Sequence, residues 1–160
     1  MSIAQLINVN TSYTRSINIE RDSELQNSVR PYILTSRAIQ VLDRFADTLK
    51  PIEIPRAWAL VGPYGSGKSA FGLFLSQLLG NKEDETTKHA FAELQQVAPE
   101  LAAQFTKNCA ATNGYCIATL AGTPEPLGRR LIQALNKAVF RYFGSSRDDL
   151  NLQLLSLIHI

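Results

Sequence analysis

One stretch of eight residues has the composition of a site for a phosphate group. It contains three glycines and ends in a lysine and a serine, reading Gly62, Pro63, Tyr64, Gly65, Ser66, Gly67, Lys68, Ser69. Glycines at positions 65 and 67 permit backbone conformations that are closed to residues with a Cβ, so that successive N–H groups can face one anion. The ammonium of Lys68 can contact phosphate oxygens, and the hydroxyl of Ser69 can bind Mg²⁺.

The residues on either side of this stretch predict the elements that position it. A short apolar run at residues 57–61 precedes it and is typical of a buried parallel strand. An almost wholly apolar run at residues 70–79 follows it and predicts a buried helix. Because the N-terminus of a helix favours negative charge, this order of elements suits an anion site.

The stretch matches the pattern G-x-x-x-x-G-K-[ST] in the context of a strand and a helix. Residues 57–80 resemble the Walker A loop of P-loop NTPases, and the helix before them is similar to that of AAA+ and STAND-type ATPases. The resemblance implies that the loop binds ATP and Mg²⁺, with Lys68 as the catalytic residue and Ser69 at the metal. The nucleotide-binding residues that it implies are Gly62, Pro63, Tyr64, Gly65, Ser66, Gly67, Lys68, Ser69 and Ala70.

Elsewhere the chain predicts more helices and a second strand. Apolar residues spaced by three and four predict a helix from Ser36 to about Leu49, with Thr35 or Ser36 as its N-cap. Further helices are predicted over about residues 87–107, with a break near Pro99, and over residues 127–143. A strand is predicted at residues 115–121. This order favours an α/β fold, an incomplete P-loop NTPase sandwich with a parallel sheet covered by helices.

We expect three parts in the chain: an N-terminal arm at residues 1–30, the N-terminal part of an ATPase domain at residues 31–154, and a non-native tail at residues 155–160. The tail matches the translation of a transposase adapter used in preparing sequencing libraries. We therefore expect the native chain to continue further. With two strands, the apolar faces of the helices at residues 70–79 and 127–143 would lack a sheet to cover them.

A second acidic motif, which such an ATPase uses to hold Mg²⁺ and to polarise water, is not found in the sequence. We expect the chain to bind ATP without appreciable hydrolysis. Glu125 is a candidate near the γ-phosphate, and a loop or helix-capping role is its alternative. The resemblance also implies that Tyr32 or Ile33 lines the adenine pocket, the alternative being an apolar contact with the first turns of the next helix.

Two other functions remain open at this point. In a small-molecule P-loop kinase, the same loop would hold the phosphate donor, and Arg129 and Arg130 would be candidates for the lid arginines. In a nucleotide-binding regulatory module, the loop would bind ATP without any hydrolysis. For the full-length protein we expect a protein or DNA partner and self-association.

Composition excludes several other classes of protein. The 160 residues are 45% hydrophobic and 19% charged with a net charge of +2, which argues against disorder and against a polyanion partner recognised by net charge. Two cysteines, Cys109 and Cys116, are too few for a disulfide framework and are expected as small buried apolar residues. We expect a cytoplasmic protein without a membrane partner, since the sequence has no signal peptide and no long apolar stretch.

Overall fold

The structure, a computed structural model, describes residues 16–24, 32–50, 55–110 and 112–143. Within these ranges the regular secondary structure consists of helices. They are α1 (Ile19–Glu24), α2 (Ser36–Thr48), α3 (Lys68–Leu78), α4 (Glu85–Val97), α5 (Pro99–Asn108) and α6 (Leu127–Phe143). The predicted tail and most of the predicted arm lie outside the described residues.

The helices predicted from periodicity are confirmed. Helix α2 begins at Ser36, and the hydroxyl of its N-cap Thr35 accepts a hydrogen bond from the backbone N–H of Ala38 at 3.2 Å. The long apolar pattern after residue 85 is broken at Ala98, and Pro99 occupies the first turn of α5, where a proline needs no hydrogen-bond partner. Periodicity and capping residues are therefore sufficient to locate these helices.

The predicted α/β fold is wrong for the part of the chain that the structure describes, because no strand or sheet occurs there. The two apolar runs at residues 57–61 and 115–121 have no regular secondary structure, and residues 57–61 are exposed, with Val61 at 93% of its maximum. A parallel strand needs neighbours that satisfy its N–H and C=O groups and cover both of its faces. Among the described residues, neither run has such neighbours, so its apolar composition does not produce a strand.

The hydrophobic core lies between α2, α3, α4 and α5. Its largest fully buried apolar side chains come one from each of these helices: Leu42, Phe74, Leu94 and Phe105. Burying such a side chain contributes about 1.5–3 kcal/mol. The apolar face of α3, which sequence analysis expects to be uncovered, is instead covered by its neighbouring helices, so this expectation is wrong.

The C-terminal end of α3 is tied to the loop that follows α5. The backbone N–H of Tyr115 donates to the Leu79 carbonyl at 2.8 Å, and the Lys82 ammonium donates to the Cys109 carbonyl at 2.8 Å. Gly114 has a φ of +105°, and a Cβ there would overlap the Gly80 carbonyl. Glycine is therefore required where the two loops meet.

Helix α6 has fewer buried residues than α2, α3, α4 or α5. Its buried residues are two small ones, Ala134 and Ala138. Its exposed large apolar side chains are Leu127, Leu131, Leu135, Phe140 and Phe143. None of the described helices is both long enough and apolar enough to cross a membrane.

Candidate phosphate-binding loop

The glycine-rich stretch forms an irregular loop that leads directly into α3. Gly65 and Gly67 both have left-handed backbone angles, with φ values of +79° and +80°. The N–H of Ser66 donates to the carbonyl of Pro63 at 3.3 Å, which closes a turn inside the loop. The predicted need for glycine at positions 65 and 67 is confirmed, since other L-residues are strained at these angles.

The first turn of α3 supplies hydrogen-bond donors at the end of this loop. Gly67 is the N-cap of α3, and no side chain caps the helix there. Its carbonyl accepts the first intrahelical bond, from the N–H of Phe71 at 2.9 Å. The N–H groups of Lys68, Ser69 and Ala70 precede that bond and have no partner within the helix. Together with the helix dipole they favour an anion at this end of α3.

The ammonium of Lys68 lies against the loop. It donates to the Pro63 carbonyl at 2.7 Å, to the Gly62 carbonyl at 2.9 Å and to the Ser66 hydroxyl at 3.2 Å. The structure thus brings together the lysine and the glycine-rich backbone that the sequence pattern assigns to one site. These three bonds place a positive charge next to the N-terminus of α3.

The loop is open to solvent on the outside. Residues 62–67 and Ser69 are exposed, and Tyr64 at the tip is exposed to 98% of its maximum, whereas Ala70 is half-buried. A Cβ on Gly62 would lie 3.1 Å from the Ser66 hydroxyl oxygen, so the two residues approach closely across the loop. An anion can therefore reach the loop without crossing the core.

Tyr32 lies against the helix that begins at the loop. Its ring stacks on Phe74 with centroids 4.9 Å apart and meets Phe71 edge-on at 6.5 Å. Partial burial raises the pKa of its hydroxyl above the ordinary value. Ile33, the other residue proposed for an adenine pocket, is 72% exposed. The aromatic contacts of Tyr32 account for its position through packing on α3.

The charged candidates beyond the loop fall into two groups. Glu125 and Arg129 are exposed at or before the start of α6. Arg130 is mostly buried and pairs with Glu20 of α1 through two contacts of 2.7 and 2.8 Å. Its guanidinium is thus paired with a carboxylate of the same chain.

The cysteine prediction is correct at one position and wrong at the other. Cys109 is buried, and burial raises the pKa of its thiol. Cys116 is exposed, and the predicted strand around it does not form. Among the described residues, no group of three or more His, Cys, Asp or Glu side chains is placed to bind a metal ion.

A small cleft of about 80 Å³ lies at the other end of α3, about 16 Å along the helix from the loop. Its lining includes Asp22, Gln77, Asp84, Tyr115 and Arg141. These residues come from five separate segments of the chain. The cleft could therefore not be predicted from a local sequence pattern.

Comparison with known proteins gives no significant match to a protein family, a curated protein or a solved structure.

Proposed function

We propose that this chain binds a nucleoside triphosphate, ATP, together with Mg²⁺ through residues 62–70. The observation that carries the proposal is the combination of left-handed glycines at positions 65 and 67, an uncapped helix N-terminus, and the Lys68 ammonium on the same loop. Amide dipoles and a flexible cation then converge on one exposed surface.

Each group has a separate role in this proposal. The N–H groups of the loop and of the first turn of α3 bind phosphate oxygens, and Lys68 contacts the β- and γ-phosphates. Ser69 follows Lys68 on the exposed side of α3 and supplies a hydroxyl to the Mg²⁺ ion. All of these donors belong to the loop and to α3, so the proposal does not require a sheet.

The proposal concerns binding. The resemblance to AAA+ and STAND-type ATPases supports hydrolysis, a protein or DNA partner, self-association and a cytoplasmic location. Of the two arginines in the kinase alternative, Arg130 pairs with Glu20, and Arg129 is exposed in the first turn of α6.

A series of ligands with different numbers of phosphates tests the proposal. In calorimetric titrations of the whole chain with Mg²⁺ present, affinity is expected to rise from AMP to ADP to ATP, and inorganic tripolyphosphate is expected to compete with ATP. The reason is that the donors at the loop bind phosphate oxygens, so each added phosphate gains contacts. Equal affinity for AMP and ATP, or no competition by tripolyphosphate, would contradict the proposal.

A further inference from the structure

The three hydrogen bonds of Lys68 use the full donor capacity of its ammonium. An ammonium group has three N–H donors, and here they are directed to two carbonyls and one hydroxyl within the loop. A phosphate that binds to Lys68 must replace at least one of these three acceptors. The free energy of the hydrogen bond that is replaced is subtracted from the free energy of the new contact between Lys68 and the phosphate. The affinity for the phosphate therefore depends on which acceptor is replaced.

The three acceptors differ in how easily they can be displaced. The carbonyls of Gly62 and Pro63 belong to the backbone, and their bonds of 2.9 and 2.7 Å are the shorter ones. The Ser66 hydroxyl is on a side chain that can rotate, and its bond of 3.2 Å is the longest. The hydroxyl of Ser66 is therefore the acceptor that a phosphate replaces first.

The position of Ser66 makes this competition direct. Its Oγ lies close to Gly62, where a Cβ would approach it to 3.1 Å, so the hydroxyl lies over the loop backbone. Gly65 and Gly67, on either side of Ser66, both have left-handed backbone angles. The hydroxyl and an incoming phosphate oxygen are thus alternative partners of one ammonium.

We infer that Ser66 acts as an internal competitor of the phosphate for Lys68 and thereby lowers the affinity of the loop for its ligand. This inference rests on the proposed function of the loop. Removal of the hydroxyl leaves the backbone N–H groups and both carbonyls in place. It takes away a partner that Lys68 must give up, so the binding of phosphate becomes tighter.

The opposite role for Ser66 predicts the opposite sign. If its hydroxyl donated a hydrogen bond to the phosphate, removal of the hydroxyl would weaken binding. The sign of the change in affinity therefore separates the two roles, whatever its size.

The test compares Ser66→Ala with the wild-type chain by calorimetric titration with Mg-ATP and with tripolyphosphate. The inference predicts tighter binding of both ligands, by about two- to fivefold for one exposed hydrogen bond. Ser76→Ala is a matched control, because Ser76 lies on α3 and its hydroxyl donates to the Leu73 carbonyl at 2.7 Å.

The outcomes distinguish this inference from the proposed function. If the wild-type chain binds both ligands and Ser66→Ala binds them equally or more weakly, the competition by Ser66 is overturned and the function stands. If the wild-type chain binds neither ligand, both are overturned. Circular dichroism and a melting curve for each variant show whether the helices are retained.

Discussion

Glu20 of α1 and Arg130 of α6 form an ion pair between residues 110 positions apart in the chain, with both Glu20 oxygens within 2.8 Å of one guanidinium nitrogen. The same carboxylate accepts a hydrogen bond from the N–H of Ala121 at 3.3 Å. Nearby, the hydroxyls of Ser23 and Thr119 lie 2.8 Å apart. Helix α1 is thereby joined to the segment before α6 and to α6 itself.

Glu20→Ala is expected to lower the free energy of unfolding by about 1–3 kcal/mol, because it leaves a mostly buried guanidinium without its counter-charge. Urea denaturation of the whole chain measures the change. Glu85→Ala is the matched control, since Glu85 is 84% exposed and pairs only with Lys88 on the surface of α4. A loss no larger than that of the control would show that the Glu20 pair is not stabilising.

Gly114→Ala is expected to destabilise the chain by about 2 kcal/mol or more, because it combines a positive φ with an overlap between the new Cβ and the Gly80 carbonyl. Gly122→Ala is the control, since nothing lies within 4 Å of a Cβ at Gly122. Thermal unfolding monitored by circular dichroism compares the two variants. Equal melting temperatures would contradict the described contact between the loops after α3 and α5.

The two thiols are expected to differ in reactivity. Cys116 is exposed, whereas Cys109 is buried and burial raises the pKa of its thiol, so less of the reactive thiolate is present at a given pH. Iodoacetamide at mildly alkaline pH should label Cys116 rapidly and Cys109 slowly in the folded chain, and both rapidly in urea. Mass spectrometry of the peptides measures the labelling. Equal rates in the folded chain would be inconsistent with the burial of Cys109.

The pKa of Cys109 also gives a sign for the pH dependence of stability. A thiol whose pKa is raised by folding stabilises the folded chain at pH values below its ordinary pKa. This contribution is lost as the pH rises from the ordinary pKa through the raised pKa of the folded chain. The free energy of unfolding is therefore expected to fall when the pH is raised from neutral to above the ordinary thiol pKa. We expect this fall to be smaller in the Cys109→Ala variant than in wild type. Urea denaturation at both pH values measures the difference.

Local signals in the sequence predict the helices but not their arrangement. The N-cap at Thr35 and the break before Pro99 involve residues within one turn of each other, and both are observed. A strand depends on partners elsewhere in the chain, and residues 57–61 and 115–121 have none in the described ranges. The covering of α3 by other helices and the Glu20 pair with Arg130 likewise join distant residues, which periodicity does not reveal.

The candidate loop could be predicted in more detail than the fold around it. Its glycine angles follow from the steric demands of positions 65 and 67, and its position before a helix follows from the apolar run after it. The contacts of Lys68 with Gly62, Pro63 and Ser66 could not be predicted, because a lysine side chain has many rotamers.

The most direct test of the central claim is a calorimetric titration of Mg-ATP into wild type, Lys68→Ala and Lys88→Ala. Lys88 is a matched control, because it is an exposed lysine on α4 paired only with Glu85. The account predicts that Lys68→Ala loses at least about tenfold in affinity, as expected for a charge-assisted contact, while Lys88→Ala binds as wild type does and both variants retain their helices. Unchanged ATP affinity in Lys68→Ala would contradict the assignment of residues 62–70 as a nucleotide-binding loop.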